Sequence, residues 1–285
     1  MLHFFIMNDN VKTALVTGAS QGVGREISLI LAGKGWDVIV VARSVDKLAA
    51  LKKDILQDFP DRKVYECPCD LASSDGPEKI MDFCTQNSLT VDLLINNAGC
   101  GLFGESVELG DSVIPMLNLN VTALTRMCAL FGKAMKERGS GSILNIGSIA
   151  GNQPSSYFAS YAATKSYVFN YSLALRHELG QYGVNVTLVQ PGYIRTAFDN
   201  QCGITSEKYK KFSYNNGMTA RAVAKCAVKS VLAKRSYVRA GIRNKLIAFF
   251  CGMLPRNFLA WVMANSVRNM TKDSKPQVAD TSKSN

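Results

Sequence analysis

The chain has 285 residues, 47% of them hydrophobic, enough to bury the core of one large α/β unit. Two histidines, His3 and His177, and eight dispersed cysteines without paired spacing argue against a metal centre, a histidine relay or a disulfide framework, and free thiols in a reducing compartment are expected. The net charge of +11 is confined to residues 221–285, where 13 Lys and Arg face Asp273 and Asp280 without the interleaved aromatics of a nucleic-acid surface, so no nucleic-acid partner is expected.

Residues 2–7 form an apolar patch shorter than a signal-peptide core and without a basic flank before it, so secretion is not expected. Residues 12–17 read as a short apolar strand, followed at once by Thr17-Gly-Ala-Ser-Gln-Gly-Val-Gly24 and a helical run over 25–33. Strand, glycine-rich turn and helix in that order form a nucleotide-binding element. Gly18 permits the tight turn, and Gly22 and Gly24 let the backbone approach a pyrophosphate and the helix pack close to the strand. Free N–H groups around Ser20, Gln21 and Val23 then receive the phosphates. The spacing is Gly-x-x-x-Gly-x-Gly, not the Gly-x-Gly-x-x-Gly of the common dinucleotide fingerprint.

A second strand over 37–42 ends in Arg43, where an acidic residue would bind the ribose of NAD. A cation there suits the 2′-phosphate of NADP, so NADP(H) is the expected cofactor and NAD(H) the alternative. Helix 45–59, strand 63–67, helix 77–86 and strand 91–96 continue the alternation. Repeated βα units without an intervening linker predict α/β architecture: a single-domain Rossmann fold, a doubly wound parallel sheet with helices on both faces.

Strand 91–96 runs into Asn96-Asn-Ala-Gly99, strand 142–146 precedes Ser148, and a helical run over 155–180 carries Tyr161 and Lys165. At this spacing the phenol and the ammonium share one helix face, a turn apart. A cation so placed stabilises phenolate and draws the tyrosine pKa down from about 10, as a general acid near neutrality requires.

With the 17–24 turn, Asp70-Leu71, Asn120 and Pro191-Gly192, these motifs resemble the short-chain dehydrogenase/reductase family over about residues 12–200. The resemblance implies that Asp70 and Leu71 bracket the adenine, that Asn97, Ala98 and Gly99 line the cofactor cleft, and that Pro191, Gly192, Ile194 and Thr196 hold the nicotinamide end. It implies that Tyr161 is the general acid in reduction and the base in oxidation. Lys165 would depress the Tyr161 pKa and bind the nicotinamide ribose, and Ser148 would hydrogen-bond the substrate oxygen. Asn120, in a helix beginning near residue 119, would help to position a water linking Lys165 to solvent. A homodimer or homotetramer through the helix carrying Tyr161 is also implied. The expected activity is reversible, NADPH-dependent reduction of a carbonyl to an alcohol. The alternative is a non-catalytic NADP(H)-binding redox sensor acting through its basic C-terminal surface.

Cys100, Leu102, Phe103, Ile149, Gln153, Tyr157, Phe158, Tyr193 and Phe198 follow the catalytic elements and are expected around the reacting carbonyl, without a carboxylate or phosphate clamp. Residues 197–218 read as a substrate lid, with Tyr209, Phe212 and Tyr214 available to cover a lipophilic ligand. A fatty 3-oxoacyl thioester, a steroid- or retinoid-like ketone and a xenobiotic ketone all fit this description. Lys208, Lys210 and Lys211 either meet an anionic carrier such as CoA or form a charged helix face.

A helix over 219–233 and a strand over 237–240 follow. The apolar runs 246–254 and 258–267, separated by Pro255-Arg-Asn257, predict two short helices and no spanning segment. With Arg239, Arg243, Lys245, Arg256 and Arg268 flanking them, three destinations are open: the chain's own core, a second subunit or a membrane interface. Residues 1–270 are thus expected as one domain, with a core over about 12–240 and a helical extension over about 241–270. The polar tail 271–285 is expected to be disordered. The expected location is cytoplasmic, with membrane association as the alternative.

Overall fold

The computed structural model describes residues 11–271, so the 2–7 patch and the tail from 272 lie outside the described residues. Among the described residues there are nine strands: β1 (Thr13–Thr17), β2 (Asp37–Ala42), β3 (Val64–Pro68), β4 (Leu93–Asn96), β5 (Gly141–Ile146), β6 (Val184–Gln190), β7 (Ile194–Arg195), β8 (Met218–Thr219) and β9 (Tyr237–Arg239). Seven of them form one parallel sheet in the order β3-β2-β1-β4-β5-β6-β9, while β7 and β8 pair separately. The order reverses between β1 and β4, and a crevice opens beyond the carboxyl ends of strands at such a switch point.

The helices are α1 (Gly22–Ala32), α2 (Val45–Asp58), α3 (Gly76–Gln86), α4 (Ser106–Leu109), α5 (Ile114–Leu117), α6 (Leu124–Arg138), α7 (Ala159–Gly180), α8 (Phe198–Gln201), α9 (Glu207–Asn216), α10 (Ala220–Leu232), α11 (Ile242–Met253) and α12 (Arg256–Thr271). Successive strand residues point to opposite sheet faces, and both faces are covered. Ala14, Val16, Val38 and Val40 meet α1, α2 and α10, whereas Leu15, Ile39 and Val41 meet α3, α6 and α7. That double burial is why the strands read as continuous apolar runs with little alternation. The run 106–138 is long and apolar enough to cross a membrane by length and composition, but Met127, Cys128, Phe131 and Met135 are buried against the sheet in the manner of a core helix.

Two boundaries depart from expectation for physical reasons. The helix carrying Tyr161 begins at Ala159, not near Ser155, because Tyr157 takes a positive φ of 64° and its carbonyl accepts from Gly104 N at 2.9 Å. Asn120 lies in a π-helical segment, Asn118–Ala123, inside the continuous run from α5 to α6, so the helix does not begin beside it. Among the C-terminal residues, the break at Pro255 separates α11 from α12 as the sequence predicts.

A buried polar chain ties the central strands to α7. Asn96 Nδ2 donates to Asn145 Oδ1 at 2.9 Å, Asn145 Nδ2 donates to Ser172 Oγ at 2.9 Å, and Ser172 Oγ donates to Val168 O at 2.6 Å. Asn145 is 0% exposed, so removing its amide leaves buried partners without water to replace it. Asn145→Ala is expected to destabilise the fold by about 3 kcal/mol in denaturant melts, because the cost of buried unsatisfied groups adds to a small cavity. A change below about 1 kcal/mol would mean that the chain does not brace α7.

Candidate active site

The crevice is built from a backbone whose conformation favours glycine at two key points. Gly18 and Gly22 have φ values of 66° and 58°. At Gly24 the constraint is spatial: a Cβ there would lie 2.3 Å from Gly18 O and 2.5 Å from Asn97 Nδ2. The turn is joined to the end of β4 by Asn97, whose Nδ2 donates to Thr17 O at 2.9 Å and Gly18 O at 3.3 Å. Thr17 Oγ1 accepts from both Asn97 N and Ala98 N at 3.0 Å. Asn97 and Ala98 therefore shape the crevice, and Thr17, the first residue of the glycine-rich turn, is its main brace through its hydroxyl.

Across the crevice, Thr196 faces the turn, with its Cγ2 3.6 Å from the Cβ position of Gly22. Pro191 accepts from Ile149 N at 3.0 Å through its carbonyl, which fixes the 191–196 segment to the residue after Ser148. Gly192 packs on α11: a Cβ there would meet Asn244 Oδ1 at 2.5 Å. Ile194 stands in β7, paired with Met218. Arg43 is exposed at the end of β2, and Gln21 accepts from Lys47 Nζ at 3.4 Å. Ser20 is half-buried in the turn, Val23 packs into the core so that only its backbone is available, Asp70 Oδ1 caps Ala72 N at 3.0 Å, and Leu71 is buried. A turn with free N–H groups at the start of α1, walled by Thr196 and with a cation at the end of β2, fits a phosphorylated dinucleotide.

Deeper in the crevice, the Ser148 hydroxyl lies near enough to the buried Tyr161 phenol to favour its ionisation. Ser148 ends the β5 segment and accepts from Ala150 N at 3.2 Å, which orients its hydroxyl. Burial pushes the Tyr161 phenol above its ordinary value, and the neighbouring Ser148 hydroxyl works against that rise. Lys165 is 6% exposed, and burial lowers its pKa from 10.5 to about 8. Its Nζ donates to Ile146 O at 3.2 Å and lies 5.8 Å from the centre of the Tyr161 ring. The phenol is thus raised by desolvation, not lowered as the Tyr161/Lys165 spacing predicts.

Asn120 is locked in place. Cys100 N donates to its Oδ1 at 3.0 Å, and its Nδ2 donates to Cys100 O at 2.8 Å and Thr164 Oγ1 at 3.1 Å. Thr164 Oγ1 in turn donates to Tyr161 O at 2.7 Å. Gly99 lies against this group: a Cβ would come 3.2 Å from Asn120 Oδ1 and 3.4 Å from Lys165 Nζ. The glycine of Asn96-Asn-Ala-Gly99 therefore leaves room beside both side chains. π-Helical turns such as the one holding Asn120 recur at functional sites because they break the regular carbonyl pattern.

Aromatic side chains wall the far side. Phe103, Tyr157, Phe158, Tyr193 and Phe198 pack with buried Tyr209, Cys202, Ile204 and Val267. The rings of Phe198 and Phe158 lie 5.6 and 6.0 Å from that of Tyr161. Leu102 and Ile149 are half-buried. Gln153 turns toward α12, its Nε2 3.7 Å from Met263 Sδ. Of the three aromatics expected in the lid, only Tyr209 enters the wall fully. Phe212 is 42% exposed and touches Tyr193 edge-on, and Tyr214 is 60% exposed beneath Arg195. Two of the three lid lysines have local partners, Lys208 on Asn269 O and Lys210 on Glu207. The contribution of α12 through Val267 and Met270 was not foreseen, because the sequence of an extension carries no mark of the surface it folds back on.

Known proteins are similar to this chain in sequence and in fold. Human very-long-chain 3-oxoacyl-CoA reductase is 28% identical over 278 residues, 95% of this chain and 83% of its own length. The 3-oxoacyl-[acyl-carrier-protein] reductase of Buchnera aphidicola is 30% identical over 233 residues, 80% of this chain and 92% of its own. Among solved structures, a short-chain dehydrogenase from Sphingobium yanoikuyae in complex with NADPH superposes with a TM-score of 0.74 at 25% identity, covering 95% of this chain and 99% of that one. Residues 12–206 match the short chain dehydrogenase family, which includes every element of the crevice from the glycine turn to Thr196. The chain is a member of the short-chain dehydrogenase/reductase family, an oxidoreductase.

Proposed function

We propose that this oxidoreductase uses NADPH to reduce the carbonyl of an apolar ketone or aldehyde, with fatty 3-oxoacyl thioesters as the favoured substrates. The observation that carries this reading is the buried Tyr161, with Lys165 Nζ 5.8 Å from its ring and the Phe158 and Phe198 rings of an aromatic wall packed beside it. Arg43 and the Gly18/Gly22 turn support NADP(H), in keeping with the NADPH held by the Sphingobium relative. The apolar wall and the acyl substrates named for the human and Buchnera relatives support an acyl chain over a small polar ketone.

When bound, the cofactor supplies hydride; the chain supplies orientation and a proton. Ser148 donates a hydrogen bond to the substrate oxygen and stabilises the charge that grows there. Tyr161, kept protonated by its burial, passes its phenolic proton to the nascent alkoxide. The phenolate left behind is stabilised by Lys165 one turn along α7. Keeping an ammonium there costs stability: a pKa lowered from 10.5 to about 8 corresponds to about 3 kcal/mol at neutral pH.

Tyr161→Phe is expected to reduce turnover by about 10²–10⁴-fold while leaving NADPH binding intact, the range for losing a positioned acid. Retained turnover would remove Tyr161 from the reaction, whereas retained NADPH binding and biological activity in a variant without turnover would favour the redox-sensor reading. Lys165 gives a second, independent check through stability. Because its folded pKa lies below the unfolded value, the unfolded state holds the extra proton between about pH 8 and 10.5, and the wild-type fold gains stability as pH rises through that window. Relative to Lys165→Met, the wild type should gain about 3 kcal/mol across it in denaturant melts. Parallel pH profiles for the two proteins would contradict a buried ammonium.

A further inference from the structure

We propose that the outer face of the α11–α12 pair docks on an anionic phospholipid surface. Along α11, Ile242, Leu246, Phe249, Phe250 and Met253 recur at the spacing of a single helix face, yet they are 72%, 53%, 61%, 60% and 70% exposed. On α12, Trp261 is likewise 64% exposed, stacked on Phe258, itself 47% exposed. A helical stripe of this kind ordinarily faces a core. Here the core side is already occupied: Asn244 packs on Gly192, and Leu259 and Val267 of α12 are buried. The apolar stripe is the side left over.

Charge selects the occupant. Residues 242–271 contain Arg243, Lys245, Arg256 and Arg268 and no acidic residue. None of the first three takes part in an ion pair among the described residues. A two-fold contact between copies of this chain would bring the cations of one patch against those of the other, which is repulsive. Anionic headgroups neutralise them while the acyl boundary takes up the aromatic rings. Lengths of 12 and 16 residues, broken at Pro255, are too short to span, so the pair lies in the interface plane. The opposite side of α12 contributes Val267 and Met270 to the aromatic wall, so the docked face and the catalytic wall are two sides of one helix.

The test is flotation of the full-length protein with vesicles of phosphatidylcholine alone and with about one third phosphatidylserine. Wild type is expected to float with the phosphatidylserine vesicles and to lose binding as salt is raised. In a Trp36→Phe background the Trp261 emission should shift to the blue on binding. Phe249→Glu with Phe250→Glu should weaken partitioning by at least about tenfold, since it places two charges in the apolar boundary. Arg243→Gln, Lys245→Gln and Arg256→Gln together should abolish the preference for phosphatidylserine. Far-UV circular dichroism and thermal melts confirm that each variant is folded; should the glutamate variant unfold, the Trp261 shift and the glutamine variant decide. The proposal is overturned if wild type stays at the bottom of the gradient with both vesicles, or if the glutamate variant floats equally well. It is also overturned if wild type does not float and the glutamate variant changes from an oligomer to a smaller species, the result expected of a subunit interface.

Discussion

The reciprocal pair between the Asn120 amide and the backbone of Cys100 is the constraint on which the catalytic arrangement depends. One side chain satisfies both polar groups of a residue just beyond β4, and its remaining donor reaches Thr164 on α7. Three separate parts of the chain, the β4 loop, the π-turn and α7, are thereby held at one point. Each buried bond contributes only about 1 kcal/mol, but losing the shared partner would leave several groups unsatisfied together. The location of Tyr161 and Lys165 follows from it, since both project from the helix that Thr164 anchors.

Around that point the site is polar where a reaction would need it and apolar elsewhere. Burial raises the phenol of Tyr161 and lowers the ammonium of Lys165, so both lean toward their neutral forms. A neutral phenol is the form that can give a proton, which suits reduction. The cost of burying Lys165 is partly offset by the hydrogen bond to the Ile146 carbonyl. Stability has been exchanged for a cation beside the tyrosine, a trade common at active sites.

Much of this was legible in the sequence because it rests on short-range chemistry. The glycine turn, the Tyr161/Lys165 spacing and the βα alternation are local patterns, and the sheet, the crevice and the placement of Lys165 Nζ 5.8 Å from the Tyr161 ring correspond to them. What was not legible depends on distant pairings. Thr17 reads only as the end of a strand and the start of the glycine turn until Asn97 and Ala98 are brought onto its hydroxyl, and Asn145 reads as an interruption of an apolar strand until Asn96 and Ser172 flank it. The start of α7 was misread because the positive φ of Tyr157 is imposed by the neighbouring loop and has no glycine to signal it. Phe212 and Tyr214 illustrate the converse: aromatic composition marked them as lid residues, but the register of α9 turns only Tyr209 fully inward.

The central claim is that hydride passes to an apolar carbonyl held at Ser148 and Tyr161. It is tested most directly by incubating the protein with NADPH deuterated at the transferable position and a medium-chain 3-oxoacyl thioester, then analysing the product by mass spectrometry. The account predicts a 3-hydroxyacyl thioester carrying deuterium on the carbinol carbon. An alcohol carrying only solvent hydrogen there, or the absence of reduction with this and with bulky apolar ketones, would contradict it.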